Sequence, residues 1–375
     1  MGRVQEIAMR VGAPKEIKSQ ESRVSLTPGV VHSLVEHGHE VFVQTGAGLG
    51  ASLSDAAYVE AGATIVADAQ AVFDAADLII KVKEPQPEEI ARLKPHHTLF
   101  TYLHLAPDPE QAKGLMASGA TCIAYETVTD RAGRLPLLAP MSQVAGRMSI
   151  QVGAASLLAP AGGRGMLLGG VPGVAPAKVM ILGGGVSGEN AAEMAIGMQA
   201  DVTLYDISAA RLAQLSGRFD GRLKTQFSTR DAILRGLAEA DLVIGAVLVA
   251  GAAAPKLVRK SDLAIMKQGA VLVDISIDQG GCFETSHATT HANPTFEIDG
   301  VIHYCVANMP GAAPITSTFA LGAATAPYII ELADKGMEAA FAADPGFAAG
   351  LNVRAGKLTS KVVADSLGMQ DKLAI

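Results

Sequence analysis

The chain has 375 residues, 49% of them apolar and 18% charged, with a net charge of -7 at pH 7; at that length two domains are the default. The negative balance argues against nucleic acid and anionic membrane surfaces as partners. Cys122, Cys282 and Cys305 are scattered without a C-x-x-C spacing, which argues against a disulfide framework or a zinc site. The longest apolar run, around Asp241 to Pro255, is too short to span a bilayer and no signal-peptide core opens the chain, so the expected location is the cytoplasm.

Met1 to Ala8 shows no apolar pattern and reads as an extension. Strands then alternate with helical segments: Arg10–Ala13, Glu40–Gln44, Ala63–Val66, Asp77–Lys83, Thr98–Leu103 and Thr121–Tyr125. Pro28 to His37 reads as a helix behind a Thr27 cap, with proline at its first position. Such alternation implies a mostly parallel sheet with crossover helices. Ligands of these sheets bind beyond the carboxyl ends of the strands. Arg23 lies in the polar loop after the first strand, Lys83 ends Leu78–Lys83, His104 ends Thr98–Leu103 and Glu126 ends Thr121–Tyr125. Each has a plainer reading: a solvated arginine, Lys81 and Lys83 paired with Glu84 and nearby acids at a sheet edge, a semi-buried histidine. An arginine, a lysine and a histidine converging at the ends of one sheet would nonetheless suit a small anionic substrate.

Leu137 to Leu158 reads as a helix starting near Ser142, and Gly162 to Gly173 as a mobile glycine-rich loop. A second α/β series follows: Lys178–Leu182, Asp201–Tyr205, Thr225–Phe227, Leu242–Ala246, Val271–Ile275 and Ile302–Ala307. Lys178–Leu182 runs into Gly183-Gly184-Gly185-Val186-Ser187-Gly188, which fits G-x-G-x-x-G. Gly183 allows the tight turn, Gly185 lets a pyrophosphate approach the backbone and Gly188 lets helix pack on strand. The helix N-terminus then offers N–H groups to the phosphates. Asp206, ending the next strand, can accept from the adenosine ribose and would repel the extra phosphate of NADP, which makes NAD the expected cofactor. Asp278 and Asn308 follow the ends of two later strands, although Asp278-Gln279-Gly280-Gly281 also reads as a plain turn. From Ala320 to about Lys335 the pattern is helical, and the tail to Ile375 reads as helical and amphipathic, returning to cover the first domain.

The segments MRVGAPKEIKSQESRVSLTP, KVKEP, TYLHLA, IAYETV, LLAPMSQVAGR, GGVPGV, DLVIGAVLV, VLVDISIDQGGCFE and YCVANMPG together resemble the bacterial L-alanine dehydrogenases, from Met9 to about Met369. KVKEP and the nucleotide half are shared with the NAD-binding subunit of nicotinamide nucleotide transhydrogenase, which stands as the alternative reading. TYLHLA and the C-terminal ELADKG favour the dehydrogenase.

The expected fold is α/β, with two doubly wound Rossmann-like domains and mostly parallel sheets. Residues 1–136 and 315–375 form a discontinuous catalytic domain, and 137–314 an NAD-binding domain. The resemblance implies reversible oxidative deamination of L-alanine to pyruvate and ammonium by a homohexamer. It implies Arg23 as ligand of the substrate carboxylate, Lys83 as partner of the substrate oxygen, His104 as acid/base and Asp278 as a catalytic acid, with Met141 and Asn308 lining the pocket. Ser142, Gly183, Gly185, Gly188, Asp206, Arg211, Ser228, Val247, Leu248, Ile275, Asp278, Val306 and Met309 would contact NAD. Some relatives carry a metal-binding Glu and His one helical turn apart in the C-terminal helix; here Glu331 has Lys335 at that spacing, and no metal is expected.

Overall fold

The computed structural model describes residues 8–247 and 254–374. By contacts the chain divides into two units, 1–141 with 311–375 and 142–310, so the passage from the first to the second falls inside the helix Ala139–Ser156.

The first unit opens with β1 (Arg10–Ala13), β2 (Glu40–Gln44), β3 (Thr64–Val66), β4 (Leu78–Ile80), β5 (Thr98–Thr101) and β6 (Thr121–Ala124). All their pairings are parallel. Their runs are short and almost wholly apolar because helices cover both faces; Val11, Ile79, Leu99 and Ile123 are fully buried. Short side-chain caps start the crossover helices. Thr27 accepts from Val30 N at 3.4 Å to begin Pro28–Glu36, and Asp108 accepts from Gln111 N at 3.0 Å to begin Pro109–Ser118.

The second unit contains β7 (Lys178–Leu182), β8 (Asp201–Asp206), β9 (Lys224–Phe227), β10 (Leu242–Gly245), β11 (Val271–Asp274), β12 (Thr295–Ile298) and β13 (Val301–Tyr304). Their order is β12-β13-β11-β10-β7-β8-β9, parallel throughout except for β12 against β13. The chain then contributes β14 (Leu351–Arg354) and β15 (Lys357–Leu358) to the first sheet, whose order is β15-β14-β6-β5-β4-β1-β2-β3. With β14 and β15 set aside in the first sheet and the antiparallel edge strand β12 in the second, each sheet's parallel strands run 3-2-1-4-5-6 in order of appearance, the doubly wound order. Strand order therefore reverses between β1 and β4 in one sheet and between β7 and β10 in the other. The loops leaving those four strands border a crevice in each.

Several expectations need correction. The tail is not helical throughout: β14 and β15 form a hairpin, and β14 pairs antiparallel with β6. The Pro314–Ala343 helix is broken at Gly336, where φ is +72°. β12 was not expected; it reaches β13 through Asp299 and Gly300, both with positive φ, as a two-residue hairpin requires. β4 ends at Ile80, so Lys81 and Lys83 lie beyond it, and β4 is interior to the sheet rather than at an edge. The helix expected near Ser142 begins at Ala139. The glycine-rich loop is held by backbone bonds, Gly165 N to Leu157 O at 2.8 Å and Val174 N to Val171 O at 2.8 Å, and anchored by buried Leu168.

Candidate active site

The crevice of the first unit is built from charged side chains that the fold buries. Arg23, in the loop after β1, is 1% exposed. Its Nε and Nη2 donate to Glu21 Oε1 and Oε2 at 2.7 and 2.5 Å, and its Nη1 lies 3.0 Å from Met141 Sδ. Burial works against the guanidinium charge, but the Glu21 hydrogen bonds and charge outweigh it and raise the pKa. Lys81 is wholly buried between two acids, 2.8 Å from Glu16 Oε2 and 2.7 Å from Glu89 Oε1. Glu16 Oε1 also accepts from Val82 N at 2.6 Å. The Lys81 cluster thus fixes the course of the chain from β4 to Lys83.

Lys83 is 7% exposed and has its Nζ 3.8 Å from Glu84 Oε2; its carbonyl accepts from Thr101 Oγ1 at 2.9 Å. His104, half-buried after β5, adopts a left-handed backbone with φ +48°. A non-glycine residue there is strained and needs a cause. Glu126 supplies it: its carboxylate accepts from His104 N at 2.6 Å and from Leu103 N at 3.2 Å. The imidazole stacks on Tyr102, ring centroids 5.7 Å apart and 7° from parallel, and Tyr102 is tied to Leu137 O at 2.6 Å. Arg23, Met141, Lys83 and His104 are therefore brought to one end of one sheet, with Glu126 as a brace for the histidine.

The second crevice is built from backbone. Gly183 has φ +102°, and a Cβ there would lie 2.7 Å from Ala246 O; a Cβ on Gly188 would lie 1.9 Å from Gly183 O. Among the described residues, a Cβ on Gly185 would meet nothing within 4 Å. Gly185 is exposed and caps the helix Val186–Gly197 without any side-chain bond, so no cap side chain takes up its first N–H groups. Asp206 Oδ2 accepts from Gly184 N at 2.6 Å and Oδ1 from Ser208 N at 2.8 Å, so both oxygens keep a lone pair for further donors. These features fit a dinucleotide: room at Gly185, phosphate donors at the helix start and an acceptor at the end of β8.

The remaining expected cofactor residues divide by what their side chains do. Ser228 N donates to Asp206 O at 3.0 Å, and Val247 packs beside Gly183. Ser142 lies one turn before Gly146, whose Cβ would stand 2.2 Å from Ser187 O, so this helix touches the start of the glycine-loop helix. Arg211 braces the loop itself, donating from Nε to Gly184 O at 2.6 Å and from Nη2 to Glu189 Oε2 at 2.5 Å. Val306 and Met309 are buried in the core, with Ile275 packed against it, so their side chains are turned to packing. Asp278 is exposed on the turn Ile275–Gln279, its Oδ1 3.4 Å from Asn308 N. Leu248 lies outside the described residues. Glu331 is ion-paired with Lys335 at 2.8 Å.

Besides Glu16 and Glu89, which clamp Lys81, two more groups were not signalled by the sequence. Glu21 carries no motif, and only its spacing two residues before Arg23 could have signalled it. Asp274, fully buried, accepts from Ser276 N at 3.1 Å, Cys282 N at 2.9 Å and Ser286 Oγ at 2.5 Å, pinning the loop that carries Asp278. Burial raises its pKa against those bonds.

Known proteins share this fold and sequence. The N-terminal domain model of the alanine dehydrogenase/PNT family matches residues 12–145 and the C-terminal domain model residues 149–361. Alanine dehydrogenase of Halomonas elongata is 59% identical, over 96% of this chain and 98% of its own. The chain belongs to the alanine dehydrogenase family. The Bacillus subtilis alanine dehydrogenase is 53% identical over 96% of each chain. A solved L-alanine dehydrogenase superposes with a TM-score of 0.93 at 50% identity, covering 96% of this chain and 99% of that one. A transhydrogenase from Sinorhizobium meliloti, 24% identical with a TM-score of 0.79, shares the fold. The alanine dehydrogenases are oxidoreductases, and the glycine loop here is what a pyridine nucleotide requires.

Proposed function

We propose that this chain catalyses the reversible, NAD-dependent oxidative deamination of L-alanine to pyruvate and ammonium, as a cytoplasmic homohexamer. The observation that carries the reading is the placing of Arg23, Lys83 and His104 beyond the carboxyl ends of the neighbouring strands β1, β4 and β5, in a chain of this family. Gly183, Gly185, Gly188, Asp206 and the start of the Val186–Gly197 helix would hold NAD, with Ser142, Arg211, Ser228, Val247 and the segments around Asp278 and Asn308 beside it. When bound, NAD supplies the acceptor for the hydride that leaves the alanine Cα. Choice of NAD over NADP rests on Asp206, which favours a ribose hydroxyl and repels a phosphate.

The side chains divide the rest of the work. Arg23, its fork set by Glu21, holds the substrate carboxylate by paired charge-assisted bonds and so aligns Cα. Lys83 stabilises negative charge on the substrate oxygen. His104 takes a proton from the water that adds to the iminium carbon and returns it to the departing nitrogen, as a general base and then a general acid. Met141 closes the pocket over the methyl group. Asp278 serves as the second acid and Asn308 as a polar lining residue. No helix among the described residues is long and apolar enough to cross a membrane.

The test is NADH formation from NAD with L-alanine as sole donor, and NADH oxidation with ammonium and a series of 2-oxo acids. Pyruvate is expected to be best and 2-oxobutyrate about ten- to two-hundredfold poorer. 2-Oxoglutarate should be inert because its second carboxylate would be buried without a partner. Equal rates with 2-oxoglutarate would defeat the alanine assignment. Hydride exchange between nucleotides without any oxo acid would select the transhydrogenase alternative.

A further inference from the structure

Arg23, Lys83 and His104 account for the carboxylate, the oxygen and the proton transfers of a 2-oxo acid, but none of them is an anionic acceptor for a positively charged nitrogen. All three carry or acquire positive charge, and a cationic group repels an ammonium ion rather than binding it. Ammonium, and the α-ammonium group of L-alanine, need an acceptor that is also negative. The acids around the first crevice are nearly all committed. Glu21 grips the Arg23 fork, Glu16 and Glu89 clamp Lys81, and Glu126 holds the backbone of Leu103 and His104.

Glu84 differs. It follows Lys83 on the stretch leaving β4, with its side chain 14% exposed. Lys18 ion-pairs with Oε1, whereas Oε2 is buried and has no hydrogen-bond partner among the described residues. Lys83 Nζ, 3.8 Å from Oε2, supplies charge but stands beyond bonding reach. Burial alone would raise the carboxyl, but Lys83, Lys18 and His104 together hold it below the usual carboxylate range, so it is ionised at neutral pH. A buried carboxylate oxygen without a donor is costly unless something arrives to donate to it.

We propose that Glu84 Oε2 is the docking point for the substrate nitrogen, accepting an N–H bond from ammonium in amination and from the α-ammonium group of L-alanine in deamination. This rests on the alanine dehydrogenase reading above. Beside Lys83, which takes the substrate oxygen, Glu84 would give the site one negative and one positive partner for the two substituents that exchange on the substrate carbon.

The test uses the full chain with ammonium chloride at fixed pH. Wild type and Glu84→Gln are compared for the KM of ammonium at saturating pyruvate and NADH, and for the KM of pyruvate at saturating ammonium. Removal of a charge-assisted bond predicts that the ammonium KM rises at least about tenfold while the pyruvate KM stays within about twofold. An unchanged ammonium KM, or equal rises in both constants, overturns the proposal and leaves Glu84 as a counter-ion for Lys83 and Lys18. NADH binding, followed by fluorescence, checks that the variant is folded. If it is not, Glu84→Asp decides: its displaced carboxylate should raise the ammonium KM selectively by about threefold or more, and no selective rise overturns the proposal. Failure of the wild type to aminate pyruvate at all would instead sink the functional reading.

Discussion

The six parallel strands of each sheet follow the same order, yet the two sheets furnish their crevices in opposite ways. At the β1/β4 switch the first unit places side chains: Arg23 locked to Glu21, Lys81 clamped by Glu16 and Glu89, Lys83 beside Glu84. At the β7/β10 switch the second unit removes them: Gly183 and Gly188 lie against backbone where no Cβ fits, and Gly185 leaves the space in front of a helix start open. The difference teaches what each ligand demands. Phosphates accept from backbone N–H groups, which any glycine turn at a helix start presents. A small oxo acid has adjacent functions of different character, and only fixed charged side chains distinguish them. Those chains must be buried to be rigid, so each needs a buried counter-charge.

The comparison can be broken most forcefully at Arg23. Arg23→Met leaves Glu21 buried without its partner and should cost about 3–5 kcal/mol of stability, with activity lost. The double variant Arg23→Met, Glu21→Met should recover most of the stability by chemical denaturation and none of the activity. If the single variant is as stable as wild type, the counter-charge argument fails. Next comes His104→Gln, expected to lower kcat by about a hundredfold or more while NADH still binds. Near-normal turnover would remove the histidine from the chemistry.

A matched pair of alanines sharpens the backbone side of the contrast. Gly188→Ala forces a Cβ onto Gly183 O and should destabilise the second unit by about 1–3 kcal/mol. Gly185→Ala meets nothing and should leave the melting temperature unchanged, yet raise the Kd of NADH about tenfold by occupying phosphate space. Equal effects of the two on stability would contradict the geometry. The smallest change is Asp206→Ala, which should weaken NAD several-fold and narrow the preference over NADP, read as the ratio of kcat/KM for the two cofactors.

What the sequence made legible follows the same division. The glycine loop could be read at once, because its function is a backbone shape and only glycine allows it. Arg23, Lys83 and His104 could be placed at strand ends, since strand position fixes where a side chain emerges. Glu126 could be placed the same way, but the other supports could not be read: Glu16 and Glu21 sit in the loop of Arg23 and Glu89 in a later helix, and an acid in a polar loop looks the same whether it meets solvent or a buried cation. Asp274 was hidden for a similar reason, lying inside an apolar strand whose pattern it hardly disturbs. β12 had its signal in Asp299-Gly300, which the apolar run of β13 overshadowed. β14 and β15 were harder. Their turn is Ala355-Gly356, with φ of +49° and +75°, and alanine is an unusual occupant of a position that ordinarily takes Asn, Asp or Gly. The short LNVR and KL segments then passed for parts of a helix.

That hairpin has a consequence for the order in which the protein is made. β14 completes the flank of β6, and Asn352 Nδ2 donates to Thr127 Oγ1 at 2.8 Å across 225 residues of chain. While the ribosome is still translating the second unit, β6 has only β5 beside it and presents a bare edge for cross-pairing with other nascent chains. The insert itself shortens this wait in space: once folded, it replaces a long loose loop by a compact body, and the loop-closure entropy that β14 must overcome falls accordingly. A chain stopped before Leu351 should therefore be released with the second unit folded and the first prone to aggregate, which sedimentation of the truncated product would show.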